Sequence, residues 1–129
     1  MSANGSDVWV TDRESNALVA FSADKLLSNP ADSIIARVNV GQTPIGVAFV
    51  RGGTEIMVAD SNLNHVPGAD AVTLVSTQRA LQGGGSAAVP GFLPSGQTPR
   101  EFGLEPGGTP LVTDNSSGQL QAIDTGSLP

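Results

Sequence analysis

Short apolar runs alternate with polar or glycine-rich turns along the chain, and one kind of run occurs three times. Its copies lie at residues 7–12, 55–60 and 110–114, and each ends in Thr-Asp or Ala-Asp. Valine and isoleucine, which favour strands, are frequent in these runs. The pattern therefore predicts three equivalent β-strands.

A second apolar run follows each of these strands after a polar turn. The second runs lie at residues 18–21, 72–75 and 120–123. When the copies are aligned on their aspartates, Leu18 matches Leu120 and Phe21 matches Ile123 without a gap. The middle copy has extra residues, which fall in a loop at 63–69.

A Gln-Thr-Pro triplet precedes two of the three copies, at residues 42–44 and 97–99. Each triplet leads into an apolar run and then into a Gly-Gly turn, a signal typical of a hairpin. The repeated unit therefore has four strands. For the central copy we place them at residues 46–50, 55–59, 71–76 and 87–92.

Repeats of this length that contain strands only are typical of β-propeller blades. The chain is predicted to be an all-β partial β-propeller with ten strands, in which one complete four-stranded blade is flanked by two three-stranded ones. A single domain would cover residues 1–129, with blades at 7–40, 41–93 and 96–125. Residues 23–27 are taken as loop, because Asn29-Pro30 ends any helix there.

Ten strands leave two sheet edges unpaired, which favours self-association. We expect either a C-terminal fragment of a longer propeller or copies that assemble around a common axis. The fragment is the stronger expectation, because the chain starts in the middle of a blade.

Composition narrows the classes of function. The net charge is −6 and the six basic residues are scattered singly, which disfavours binding of nucleic acid. There is no cysteine and no apolar run of about 20 residues, so thiol chemistry and a membrane span are not expected. The first residues do not resemble a signal peptide. Localisation is open, and an extracytoplasmic one is favoured if a longer parent carries such a signal.

Antiparallel strands that follow one another place alternate turns at the same end of the sheet. The polar residues gather at one end, which we call the loop face: the turns at 12–16, 60–70 and 114–118 and both Gln-Thr-Pro turns. The opposite end carries the Gly-Gly turns and the connector at 82–86. The candidate ligand-binding residues of the loop face are Asp12, Arg13, Asp60, Asn62, His65, Asp70, Arg100, Glu101, Asp114 and Asn115.

The same residues also have structural interpretations. The three repeated aspartates begin turns, where a carboxylate accepts hydrogen bonds from backbone N–H groups. His65 lies near Asp60, Asn62 and Asp70, but the loop lacks the ligand pattern of a calcium site, and we expect a solvated loop. No motif of nucleophilic catalysis is present, and no metal or cofactor is expected. Trp9 is expected in the core or between blades.

The segments 43–49 and 52–61 resemble the YVTN-type propeller repeat, which runs Pro-x-Gly-Val-Ala, a glycine turn and an apolar strand ending near Thr-Asn. Here the strand ends in Ala59-Asp60 or Thr113-Asp114 instead. The third copy is similar to lactonase-like seven-bladed propellers. That resemblance implies an enzyme whose acidic and basic residues come from several blades, for which Arg100 and Glu101 are the nearest candidates.

Two functions follow from this reasoning. The first is a non-catalytic repeat scaffold that binds a protein or a carbohydrate through the loop face. The alternative is part of a lactonase-like hydrolase that acts on a sugar lactone.

Overall fold

Ten strands and two short helices make up the computed structural model, which describes residues 1–129. The strands are β1 Asp7–Asp12, β2 Ala17–Ser22, β3 Ile34–Asn39, β4 Pro44–Val50, β5 Glu55–Asp60, β6 Ala71–Ser76, β7 Gly91–Pro94, β8 Pro99–Leu104, β9 Pro110–Asp114 and β10 Gln119–Ala122. The helices are α1 Ala23–Ser28 and α2 Thr77–Leu81. Neither helix has the length and apolar run that crossing a membrane requires.

The strands form three separate antiparallel sheets in chain order. The orders are β1-β2-β3, β4-β5-β6-β7 and β8-β9-β10, with neighbours along the chain paired throughout. The predicted fold class and strand count are confirmed: one four-stranded blade lies between two three-stranded ones. We call them blades 1, 2 and 3.

Blades 2 and 3 repeat even in their irregularities. The β4–β5 register shifts between Pro44 and Val47, and the β8–β9 register shifts between Pro99 and Phe102. Both shifts follow a Gln-Thr-Pro turn. The triplet thus marks the same β-bulge at the start of each first strand.

Two apolar clusters form the core, and each one lies between two blades. The first joins Trp9 and Leu18 of blade 1 to Ile56 and Val58 of blade 2. The second joins residues of blade 2, such as Met57, to blade 3. Side chains alternate along a strand, so β5 places neighbouring residues in different clusters. The prediction for Trp9 is confirmed, since its side chain is 5% exposed in the first cluster.

The first strands of neighbouring blades approach each other closely. Strand β4 contacts both β1 and β8. A Cβ added to Gly46 would lie 2.2 Å from the carbonyl oxygen of Arg100, so only glycine allows this approach. The Thr11 hydroxyl also donates to the Ile45 carbonyl at 3.0 Å.

Helix α1 differs from the loop predicted for residues 23–27, and α2 lies just before the predicted connector at 82–86. The Ser22 hydroxyl caps α1 by accepting from the Lys25 N–H, and Ser76 caps α2 in the same way through Arg79. Asp124 follows β10 at the position matching Ser22 and caps a 3₁₀ turn. A capping residue at or just after the end of β2, β6 and β10, which are equivalent strands of the three blades, is the signal that the sequence reasoning missed.

The outer strand of blade 2 begins later than predicted. Residues 87–92 were expected to be a strand, whereas Gly85–Ala88 form a 3₁₀ turn and β7 covers Gly91–Pro94. Ala88 is fully buried in the first cluster beside Ala80 of α2. Burial of these small side chains holds the turn, and Pro90 has no N–H to pair with β6.

Candidate functional site

The loop face is held together by hydrogen bonds that cross from blade to blade. Asn16 lies directly before β2, and its side-chain oxygen accepts from the Thr43 N–H at 2.8 Å. Asp70 lies directly before β6, and its Oδ1 accepts from the Thr98 N–H at 2.8 Å. Both threonines have a positive φ, of 46° and 57°. The two contacts are the same feature in successive repeats, and we call them the blade latches.

Asp60 is fully buried at the end of β5, so a ligand on the surface would not touch it. Its Oδ1 accepts from the Gly41 N–H at 3.0 Å and its Oδ2 from the Thr73 hydroxyl at 2.5 Å. Burial raises the pKa of this carboxyl to about 7, although both hydrogen bonds act to lower it. Its acceptor role resembles the predicted capping, but the N–H group belongs to the turn before β4 rather than to its own turn.

Asp114 is the equivalent residue of blade 3, and it is 1% exposed. Its Oδ1 has no hydrogen-bond partner, because Gln121 stands where blade 2 has Thr73. Burial raises the pKa of Asp114 and the nearby Asp70 carboxylate adds to the effect, while the Gly96 N–H lowers it. Asp114 therefore keeps an acceptor without a donor.

The inserted loop of blade 2 is organised by Asn62. Its amide donates to the Val66 carbonyl at 2.8 Å and to Asp70 Oδ2 at 3.2 Å, and its oxygen accepts from the Val66 N–H at 2.9 Å. His65 is exposed in the same loop. The Asp60 carboxylate is turned away toward Gly41, so these side chains do not converge on one point.

Asp12, the first repeated aspartate, is partly exposed and accepts from the Ser15 N–H at 3.3 Å. Arg37 of β3 donates to its Oδ2 at 3.0 Å. The hydrogen bonds from Ser15, followed by those from Arg37, hold the pKa of Asp12 below its usual value. Asp12 thus begins its turn in the way predicted for a structural aspartate.

Arg100 and Glu101 are exposed on β8, the first strand of blade 3. Neither forms an ion pair, with the other or with a neighbour. Asn115 is also exposed, in the β9–β10 turn. These three side chains are free to meet a ligand.

A polar groove lies on the loop face between blades 1 and 2. Its volume is about 290 Å³, and it is lined by Arg13, Glu14, Asn16, Thr43, Leu63 and Asn64. Arg13 and Glu14 form an exposed ion pair at 3.6 Å. The groove offers a cation, a carboxylate and amides around a floor that the first blade latch holds in place.

Sequence reasoning placed the Gln-Thr-Pro turns and Asn16 on the loop face but missed their roles in the blade latches. The available signal was the pairing of each triplet with an Asn or Asp in the preceding blade, directly before β2 in blade 1 and directly before β6 in blade 2. The two parts of this signal lie in different blades, and the hydrogen bond between them forms only when the blades pack together.

No family model and no curated protein matches this sequence. Solved structures do match. Hydrazine synthase from Kuenenia stuttgartiensis aligns with 98% of this chain and 31% of its own, at 20% identity and a TM-score of 0.76. A candidate 6-phosphogluconolactonase from Bacteroides uniformis aligns with 95% of this chain and 37% of its own, at 17% identity and a TM-score of 0.60.

A functionally unknown protein from Desulfotomaculum acetoxidans aligns with 93% of this chain and 38% of its own, at 15% identity and a TM-score of 0.60. The chain thus spans about a third of the length of these structures. At such low identity the likeness defines the fold, which is that of propeller proteins including a lactonase-like one, and leaves the function to be argued from the site.

Proposed function

We propose that this chain is a non-catalytic propeller scaffold that binds a polar ligand, a carbohydrate or a protein loop, in the groove between blades 1 and 2. The observation that carries the proposal is how the loop face uses its polar side chains. The side chains of Asp60, Asn62 and Asp70 form hydrogen bonds with the chain itself, and these bonds fix the loops. None of the three side chains is left in position to act as a proton donor or a nucleophile.

The groove suits hydroxylated and amide-bearing ligands. Arg13 donates only, Glu14 accepts only, and Asn64 does both, so the lining can match the mixed donors and acceptors of a sugar or of a peptide backbone. The positions of these groups are set in part by the Asn16–Thr43 latch, and preorganisation of this kind favours affinity. Export of the protein would bring such a surface into contact with carbohydrates or other proteins.

A glycan array followed by calorimetry tests this function. We expect binding that Arg13→Ala and Asn64→Ala each weaken about tenfold, which corresponds to one hydrogen bond to a charged group or a little less. Gln82→Ala, at the opposite end of the blades, is the matched control and should leave binding unchanged. Equal binding by Arg13→Ala and the wild type would contradict the groove as the site.

Part of a lactonase-like hydrolase is the second candidate, supported by the likeness to the candidate 6-phosphogluconolactonase and by the unpaired Arg100. In that case Arg100 would orient the lactone carbonyl and Glu101 would assist the attacking water. Incubation with a panel of sugar lactones would then show turnover that Arg100→Ala abolishes. Robust turnover would overturn the non-catalytic proposal.

A further inference from the structure

The last strands of blades 1 and 2 each have one edge without a neighbouring strand. Strand β3 pairs only with β2, and β7 pairs only with β6. Strand β7 is short, follows Pro90 and ends in Pro94, and proline has no N–H to offer to another strand. Strand β3 covers six residues without proline or glycine, so its edge is the more open of the two to a further strand.

The β2–β3 ladder shows which backbone groups of β3 are free. The Val40 N–H donates to the Asn16 carbonyl at 2.9 Å, and the register is regular over residues 36–39. Along an antiparallel pair, successive residues turn their N–H and C=O groups alternately toward the partner strand and away from it. Val40 faces β2, so Arg37 and Asn39 point their backbone groups outward. The turns and loops of the chain make no hydrogen bond to these groups.

A groove, which we call the rim groove, lies between this edge and blade 2. Its volume is about 330 Å³. The lining residues are Arg37, Asn39, Gly85, Ser86, Val89 and Phe92. Because Ala36 and Val38 place their side chains in the first cluster, Arg37 and Asn39 place theirs on the opposite face of the sheet. These two residues therefore offer their backbone to the rim groove, while Phe92, which is 60% exposed, offers an apolar wall.

Arg37 adds a cation on the opposite face of β3. Its Nη2 donates to Asp12 Oδ2 at 3.0 Å and to the Ser15 hydroxyl. Its Nε and Nη1 groups have no partner, and the side chain is 45% exposed. Directly opposed residues of neighbouring strands share a face of the sheet. The residue opposite Arg37 on an added strand would therefore meet a guanidinium with free donors, which favours a carboxylate.

We propose that the β3 edge binds an extended acidic peptide segment of a partner protein, which adds to blade 1 as an antiparallel strand. A glutamate or aspartate lies opposite Arg37. An apolar residue lies opposite Val38 and packs against Val89 and Phe92 in the rim groove. Outward N–H and C=O groups on alternate residues match the repeat of a peptide backbone. The proposal does not rest on the function proposed above, because the rim groove shares no lining residue with the polar groove of the loop face.

Calorimetry of the whole chain with the capped peptide Ser-Thr-Leu-Glu-Val-Thr-Ser tests the proposal. In the proposed register its glutamate lies opposite Arg37 and its leucine opposite Val38. A peptide with lysine in place of the glutamate should bind about tenfold more weakly, because an opposed pair of unlike charges becomes a pair of like charges. Equal affinity of the two peptides, or no binding at millimolar concentration, would overturn the proposal.

Methylation of single peptide nitrogens distinguishes strand addition from a general attraction between charges. The N–H of the peptide's glutamate points toward Arg37 in this register, so N-methylation there should weaken binding about tenfold. The N–H of its leucine points away from β3. N-methylation at the leucine is therefore the matched control and should leave binding unchanged. Equal affinities of the two methylated peptides would refute the backbone pairing.

Variants of the chain test the two side-chain contacts. Phe92→Ala should weaken binding about fivefold, because the peptide's leucine loses apolar contact area. Leu27→Ala, which removes an exposed apolar side chain from α1 outside the rim groove, is the control and should leave binding unchanged. Arg37→Gln should remove the difference between the glutamate and lysine peptides. A difference that survives in Arg37→Gln would contradict the role of the guanidinium.

Two further measurements identify the surface. Bound peptide should slow the amide hydrogen exchange of Arg37 and Asn39 by about tenfold or more, because their N–H groups gain partners. Arg13→Ala should bind the peptide as the wild type does, whatever happens to the ligand of the loop face. Binding without protection of the two amides would overturn the proposal, and so would a dimer in light scattering that the peptide does not dissociate.

Discussion

The carboxylate of Asp60 joins three segments that are far apart in the sequence. It accepts from Gly41 before β4 and from Thr73 of β6, and it ends β5 itself. Its full burial makes the charged form unfavourable and raises its pKa from an ordinary value of 3.8 to about 7. One residue therefore couples the packing of blade 2 to pH.

The pH dependence follows from this shift. Between pH 4 and pH 7 the unfolded chain releases the Asp60 proton while the folded chain retains it, so the free energy of unfolding falls as pH rises. The loss is complete above pH 7 and amounts to roughly 4 kcal/mol for a shift of this size. Urea denaturation at pH 4.5 and pH 8 measures it.

The variant Asp60→Asn removes the part of the pH dependence that comes from Asp60, while the raised pKa of Asp114 acts in the same direction in both proteins. The asparagine oxygen still accepts from Gly41 and its amide donates to Thr73, so at pH 8 the variant should be more stable than the wild type. Asp24→Asn is the control, because Asp24 is exposed on α1. If the wild type and Asp60→Asn lose stability equally between the two pH values, Asp60 is not the titrating group.

Position 41 must be glycine because the Asp60 carboxylate leaves no space for a side chain there. A Cβ at this position would lie 2.5 Å from the carboxylate, which is fixed by its hydrogen bonds and cannot retreat. Gly41→Ala should therefore lower the free energy of unfolding by about 1–3 kcal/mol, as overpacking does. Gly107→Ala, where an added Cβ meets nothing within 4 Å, should have little effect. Similar thermal midpoints for the two variants would argue against the clash.

At the scale of elements, the blade latches and the inserted loop decide the form of the loop face. Asn62 folds the loop onto itself through three hydrogen bonds, and through Asp70 it supports the latch to Thr98. A loop of this kind depends on few contacts, so loss of Asn62 affects it locally.

Asn62→Ala should speed hydrogen exchange of the Val66 N–H and lower the free energy of unfolding by about 1–3 kcal/mol, because the buried Asn62 side chain makes three hydrogen bonds that alanine cannot make. Asn64→Ala, an exposed asparagine in the same loop, should change neither quantity beyond a few tenths of a kcal/mol. Unchanged exchange at Val66 in Asn62→Ala would show that other contacts hold the loop.

At the scale of the whole molecule, blade 2 stabilises both of its neighbours. The two clusters meet only through its strands, since Ile56 faces blade 1 and Met57 faces blade 3. Repeat proteins built in this way derive their stability from nearest-neighbour interfaces. The interfaces can therefore be weakened one at a time.

Ile56→Ala and Met57→Ala form a matched pair, because both side chains are buried and adjacent on β5. Each should cost about 2–5 kcal/mol. Hydrogen exchange should rise mainly in β1–β3 for the first variant and mainly in β8–β10 for the second. A uniform rise over all three blades in both variants would mean that the chain unfolds as one cooperative unit.

The sequence by itself determined the strand count, the grouping of strands into blades and the end of the molecule at which the polar turns meet. Each of these follows from local periodicity and from the antiparallel order of neighbours along the chain. The sequence did not predict the start of β7 correctly. Burial of Ala88 beside Ala80 of α2 favours a 3₁₀ turn over the strand predicted for residues 87–92.

Only the tertiary structure decided the role of the repeated aspartates. The same residue type at the same repeat position is partly exposed as Asp12, satisfied and buried as Asp60, and buried with a free acceptor as Asp114. The difference comes from the residue on the neighbouring strand. Thr73 donates its hydroxyl to Asp60, whereas Gln121 donates its amide to the Pro94 carbonyl and leaves Asp114 without that donor. Hydrogen bonding depends on positions fixed by packing, and the repeat pattern alone does not contain them.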